Sequence, residues 1–271
     1  MKYFALRLFA IVCLTGIVSC SEINNTHQNA INELPKKEHT LSAVLWQQNA
    51  AEYRALSYQA YNIASLRISN LDKSNGKPYA IITDLDETVI DNSPYSAMQI
   101  KEDLNFDNRD WNEWGKLENA KALPGAVEFF NNAIKEGVDV FYISNRSEVQ
   151  IEETIANLKK LNLPNADLDH VFLKTSTSEK QERRDKVLEN YDVVLYMGDN
   201  LSDFSSAFDN QSSVNRNAST DALKEKFGEK YIVFPNPMYG DWESKGIYEN
   251  HRNWTEKQKD SIRRAKIYSY K

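Results

Sequence analysis

The chain reads as an α/β protein built on a doubly wound, Rossmann-like parallel sheet flanked by helices, with a small, mainly helical cap. Three observations predict this class. Short apolar runs alternate with helical patterns between residues 79 and 234. Three of those runs end in acidic or polar clusters, and a long insert carrying Trp111 and Trp114 separates the first run from its crossover helix. Such alternation implies parallel βαβ units, and parallel strands deliver their carboxyl-terminal residues to one edge, where open α/β sheets place their sites.

The elements follow in order. Lys2 and Arg7 precede or punctuate an apolar stretch over residues 8–18, too short to span a bilayer as a mature helix. It runs into Ile17-Val18-Ser19-Cys20, which resembles the lipobox of bacterial lipoproteins. That resemblance implies a signal peptide over residues 1–19, with Cys20 as the lipidated N-terminus. The expected location is the bacterial cell envelope, lipid-anchored at the outer membrane. Cys13 would leave with the signal peptide, so the mature chain would hold no cysteine pair. Residues 20–40, polar and Asn-rich with Pro35, read as a flexible tether.

Residues 41–250 make the core. Trp46, Ala50, Tyr53, Leu56, Ala60 and Ile63 recur at three- and four-residue steps, predicting one amphipathic helix over residues 42–69 with these side chains on its core face. The Ile-rich run at 79–83 then ends in Asp84, Asp86 and Glu87. Residues 93–123 are too long for an ordinary connection and read as the cap insert. Pro124 opens a helix through Glu136, stopped by Gly137. A strand over 138–143 stops at Ser144-Asn145-Arg146, and Ser147 with Gln150 offers a capping box to a helix whose Ile151, Ile155 and Leu158 share a face. Further strands are predicted at 171–173, 193–197 and 231–234, with a polar helix over about 179–190. Residues 251–271 read as a helical tail whose Arg263, Arg264 and Lys266 form a solvated face.

Composition narrows the function. The hydrophobic fraction is 41%, the charged fraction 27% and the net charge -6, as suits a soluble globular protein and not a binder of nucleic acid polymers. His27, His39, His170 and His251 stand apart from any motif, which argues against a histidine nucleophile or a His-rich zinc site. No P-loop or Gly-x-Ser-x-Gly elbow is present. An acidic turn would explain Asp84 and Asp86 alone. It does not explain why Ser144, Asp199 and Asp203 also fall at strand ends, with Lys174 and Lys180 between them. Four carboxylates in one cleft repel each other unless a cation neutralises them, and oxygen ligands of this kind suit Mg²⁺.

Asp84-Leu85-Asp86-Glu87-Thr88, Ser144, a downstream lysine and Gly198-Asp199-Asn200-Leu201-Ser202-Asp203 resemble the four motifs of the haloacid dehalogenase (HAD) superfamily. The finer resemblance is to the class C acid phosphatases, the lipoprotein e(P4)-like 5′-nucleotidases. It rests on Asp91 to Tyr95, on Ala122-Leu123-Pro124-Gly125-Ala126, on Tyr142-Ile143-Ser144-Asn145-Arg146 and on the stretch from Pro235 to Glu243. The resemblance covers about residues 42–250.

It implies a HAD-like core and a Mg²⁺-dependent phosphomonoesterase acting outside the cytoplasm on nucleoside 5′-monophosphates, with room for a homodimer; the alternatives are a broad-specificity acid phosphatase without nucleotide preference and a non-catalytic, ligand-binding surface lipoprotein. Asp84 would be the nucleophile and Asp86 the general acid and base. Asp84, the Asp86 carbonyl and Asp199 would hold the metal, with Asp203 joining as a ligand through water or by orienting the others. Ser144 and Asn145 would bind phosphoryl oxygens, and Trp111 and Tyr239 would sandwich a base. Lys180 fits the family's Ser-x-Lys context, at a spacing to Asp199 one residue shorter, and is preferred to Lys174 as the charge-neutralising lysine. Thr88 reads as a structural hydroxyl, and Asp91 and Asn92 as shapers of the turn into the cap. Arg146 reads as either a substrate contact or a surface ion pair.

Overall fold

A computed structural model of the chain describes residues 34–72, 76–251 and 253–271. The expected signal peptide, Cys20 and most of the expected tether lie outside these residues. Residues 36–252 form one compact unit, while the described residues 34–35 and 253–271 fall in a second. No helix among the described residues is long and apolar enough to cross a membrane.

The unit opens with a short 3-10 turn, Glu38–Thr40, followed by helices α1 (Leu41–Asn49) and α2 (Ala51–Ser69). The tether therefore ends earlier than the sequence predicts, and Lys37 and Thr40 reach the site described below. The expected single helix is also two. Ala50 is extended (φ -79°, ψ 128°), a one-residue break that leaves the apolar periodicity intact and is invisible to it. Tyr53 and Ala60 are buried as predicted, whereas Leu56 is 40% exposed.

Strand β1 (Tyr79–Thr83) is the centre of the sheet. The chain then makes a short antiparallel clasp, β2 (Ile90–Asp91) with β3 (Lys121–Ala122), which closes the neck of the cap. Between the clasp strands lie the cap helices α3 (Ser93–Lys101) and α4 (Asn108–Lys116). Asp107 caps α4 by accepting from the backbone N–H groups of Arg109 and Asp110. There follow α5 (Ala126–Lys135), β4 (Val138–Ser147), α6 (Ile151–Lys160), β5 (Val171–Lys174), α7 (Gln181–Asn190), β6 (Asp192–Gly198), α8 (Ser213–Ala222) and β7 (Tyr231–Val233). Gly137, at φ 77°, occupies the left-handed position that stops α5. In the second unit the tail holds one helix, α9 (Glu256–Lys266), with a Thr255–Gln258 capping box.

The sheet has the order β5-β4-β1-β6-β7, and every neighbouring pair is parallel. Side chains alternate between its faces. Ile81, Val140, Tyr142, Leu195 and Met197 pack under α2 and α5 with Tyr61, Phe129 and Phe130. Ala80, Ile82, Phe141, Ile143 and Tyr196 face Val187 and Phe204 on the other side. Each face is thus covered, as a parallel sheet requires.

Two local expectations are corrected. β4 continues through Ser144, Asn145 and Arg146 to Ser147, which pairs with Lys174 after an irregularity in register, so these residues are in the strand and not in a loop beyond it. No Ser147–Gln150 capping box forms, because Glu148–Gln150 wind into a 3-10 turn and the Gln150 amide lies against Gly115 of α4.

Candidate active site

The chain passes first to β4 on one side of β1 and later to β6 on the other, so a switch point lies at the carboxyl end of β1. Asp84 follows β1 directly, and its backbone N–H donates to the Met197 carbonyl at 2.8 Å, tying the loop to β6. Asp199 follows β6. Asp203 stands one turn later, locked by a capping box in which its Oδ2 accepts from the Asn200 N–H at 3.0 Å. Gly198 is required here, since a Cβ on it would fall 2.4 Å from Asp203 Oδ2.

The carboxylates of Asp84, Asp199 and Asp203 bring one oxygen each within 4.8 Å of one another. Lys180, 4% exposed, lies among them and pairs with Asp84 and, at 2.7 Å, with Asp203. Three carboxylates against one ammonium leave two negative charges in a buried place. That is the charge and the oxygen donor set that a divalent cation balances, so these three aspartates can hold one. Burial, and the neighbouring Asp203 and Asp86 charges, push the Asp84 carboxyl up to about 7 although Lys180 opposes the rise. Burial and then Asp84 and Asp203 drive Asp199 upward as well, against the Asn236 hydrogen bond. Burial alone would lower the Lys180 ammonium; Asp203 and Asp84 outweigh it and the net shift is upward.

Asp86 is held separately. Its Oδ1 accepts from Asn92 Nδ2 at 2.7 Å and from Arg146 Nε at 2.9 Å, and its Oδ2 from Ser144 Oγ at 3.1 Å. Arg146 is 3% exposed, with its guanidinium 5.3 Å from the Trp111 ring centroid and its NH2 donating to Asn92 Oδ1. Arg146 is therefore no surface ion pair, and Asn92 does more than shape a turn: it joins Asp86, Arg146 and the Trp114 indole in one network. Thr88 has the structural part expected, donating to Asp199 Oδ1 at 3.4 Å while its carbonyl accepts from the buried Tyr61 hydroxyl. Asp91 also behaves as expected, with Oδ1 accepting from the Ser93 N–H and from Gln47. Glu87 turns the loop at φ 59°, and its Oε1 accepts from the Asn92 N–H.

These groups open into a cavity of about 430 Å³. Asp84, Asp86, Lys180, Asp199 and Asp203 line its inner end together with Asn145, whose Oδ1 is fixed by Arg183 at 2.8 Å. Ser144 is fully buried and turned onto Asp86, outside the lining. Lys174, at the end of β5, is also outside it. Much of the outer wall is apolar: Tyr95, Phe106 and Trp111 come from the cap, and Met238 and Tyr239 from the loop after β7. Asn236 links the two ends, donating to Asp199 Oδ2 at 2.8 Å while its own Oδ1 accepts from the Met238 and Tyr239 N–H groups. Neither Asn236 nor Arg183 was expected at the site: Asn236 lies in the family-like stretch from Pro235 to Glu243, and Arg183 carries no signal beyond being one more charge on a polar helix.

The sequence of residues 10–242 matches the family model for the HAD superfamily, subfamily IIIB (acid phosphatase). The chain belongs to this family. The class of enzyme is accordingly that of a phosphomonoester hydrolase. Among solved structures, the class C acid phosphatase from Bacillus anthracis superposes with a TM-score of 0.84 at 40% identity, covering 88% of this chain and 100% of that one. The same protein with tungstate bound gives 0.84 at 41%, with the same coverage. Acid phosphatase 1 of Solanum lycopersicum is 29% identical over 172 residues, 58% of this chain and 57% of that protein's length. A stem 31 kDa glycoprotein of Glycine max is 24% identical over 219 residues, 78% of this chain and 77% of its own.

Proposed function

We propose that the protein is a Mg²⁺-dependent phosphomonoesterase, lipid-anchored at Cys20 in the bacterial cell envelope, that removes the phosphate from nucleoside 5′-monophosphates. The observation that carries this reading is one continuous cavity, acidic and lysine-bearing at its foot and aromatic at its mouth. Tungstate, bound by the Bacillus anthracis relative, is a tetrahedral oxyanion like phosphate, and this supports a phosphoryl site at the foot.

Asp84 is the nucleophile. Its carboxylate oxygen attacks phosphorus while the bond to the leaving oxygen breaks, giving an aspartyl-phosphate. Asp86 supplies the proton to the departing alkoxide. It then takes a proton from the water that attacks the phosphoryl group, and Asp84 is released with inorganic phosphate. Arg146, Asn92 and Ser144 hold the Asp86 carboxyl in place for both transfers. Lys180 neutralises charge growing on the phosphoryl oxygens, and Asn145 donates to one of them. Ser144 would reach a phosphoryl oxygen only on releasing Asp86, so its part here is to orient. Asp84, Asp199 and Asp203, with the Asp86 carbonyl, would hold Mg²⁺, which would supply the positive charge that lets an anionic carboxylate approach an anionic ester.

Trp111 and Tyr239 sandwich the base, a contribution of about 1–3 kcal/mol per stacked base that tolerates different bases. The test compares kcat/KM for nucleoside 5′-monophosphates with ribose 5-phosphate, in wild type and in Trp111→Ala and Tyr239→Ala. A wild-type preference for nucleotides that collapses in both variants supports the reading. Equal turnover of both substrates by the wild type makes the protein a general phosphatase instead. Globomycin-sensitive processing and labelling of Cys20 by a palmitate analogue would test the anchor, and Cys20→Ala should abolish the label.

A further inference from the structure

Gln99 is 6% exposed, lines the cavity, and has an amide nitrogen without a hydrogen-bond partner. Other described residues also carry a buried side-chain atom without a partner, but Gln99 alone among them lines the cavity. A buried donor left unpaired is a cost in the empty molecule, and a site retains such a cost where a ligand supplies the missing acceptor.

Its position says which part of a ligand. Gln99 belongs to cap helix α3, one turn after Tyr95 and Ser96, and those two residues line the same cavity. Tyr95 packs edge-on against Trp111, with ring centroids 5.0 Å apart. The groups suited to the phosphoryl centre stand on the core instead, at the ends of β1 and β6 and before α7. Trp111 touches Tyr95 of α3, so a ring placed against Trp111 lies beside that helix.

From this juxtaposition we infer that Gln99 is a specificity residue that donates a hydrogen bond to an acceptor, a carbonyl or ring nitrogen, on the edge of the substrate's base. The inference rests on the nucleotide reading above. Aromatic walls alone accept any flat ring; the amide adds a demand for a polar one. The effect belongs in KM, because the contact is as good in the ground state as in the transition state.

The experiment measures kcat and KM for inosine 5′-monophosphate and ribose 5-phosphate with the Mg²⁺-loaded wild type, Gln99→Leu and the near-isosteric Gln99→Met. One neutral hydrogen bond corresponds to roughly 3- to 10-fold. The nucleotide KM should rise by that factor in both variants, with kcat and all ribose 5-phosphate parameters within about twofold. The variants should melt no lower than wild type, since an unpaired amide has been removed. A wild-type preference for the nucleotide that survives both substitutions overturns the role of Gln99 and leaves the nucleotide reading standing. Equal losses on both substrates place the contact on the sugar and also overturn it. A wild type that does not distinguish the substrates sinks the nucleotide reading itself, and this inference with it.

Discussion

Replacing Lys180 by methionine tests the electrostatic logic of the site. The Lys180 ammonium pairs with Asp84 and Asp203, and Asp199 completes the same cluster. Methionine keeps length and apolar bulk while leaving three carboxylates with no positive charge among them. Removing one partner of a buried ion pair typically costs about 3–5 kcal/mol, because the remaining charge is uncompensated. Part of that cost will be evaded by protonation: Asp84, already up to about 7 with Lys180 beside it, will rise further. The metal-free variant should therefore melt well below wild type at pH 8 and recover towards it at pH 5. Saturating Mg²⁺ should also restore stability, since a cation replaces the lost charge. Activity should not recover with it, because loss of a preorganised group facing developing charge costs about 10²- to 10³-fold in kcat. The assay pairs thermal melts at both pH values, with and without Mg²⁺, with steady-state hydrolysis of a nucleotide. A variant as stable as wild type at pH 8 without metal would mean that Lys180 does not offset the carboxylate charge, and one with full activity in Mg²⁺ would mean that it does not act on the phosphoryl group.

Further outcomes are expected. Arg146→Lys loses the two-point grip on Asp86 and should lower kcat by about tenfold or more, at little cost in KM, in steady-state assays. Gly198→Ala forces Asp203 away from its place and should weaken Mg²⁺ binding at least tenfold by calorimetry while the protein stays folded. The metal-free site takes up protons on folding, because Asp84 and Asp199 are both raised. Stability without metal should thus fall as pH climbs from the ordinary carboxylate range through about 7. Mg²⁺ affinity should rise over the same window, with proton release detectable as a buffer-dependent binding enthalpy.

Much of this was legible in the sequence, for physical reasons that differ by residue. Asp84, Asp199 and the strands before them were readable because a buried parallel strand is a short apolar run and its end is abrupt. Lys180 was distinguishable from Lys174 only through the motif that resembles the family, and the structure places Lys180 against Asp84 and leaves Lys174 outside the cavity. The break at Ala50 was not readable, since one extended residue shifts no side chain out of the apolar stripe. Nor was the network of Asn92, Arg146 and Asp86, whose members are 6 and 54 residues apart along the chain and meet only when the cap neck closes on β4. Gln99 left no trace at all: a glutamine on a polar helix looks like any solvated residue until the cavity beside it is seen.

Whether Asp84 forms a bond to phosphorus can be read by acid-quenched, rapid-mix turnover followed by peptide mass spectrometry. A phosphoryl group should appear on the peptide containing Asp84, formed within one turnover with Mg²⁺ and absent from Asp84→Asn. Phosphate found on another residue, or Asp84→Asn that is labelled and turns over like wild type, would contradict it.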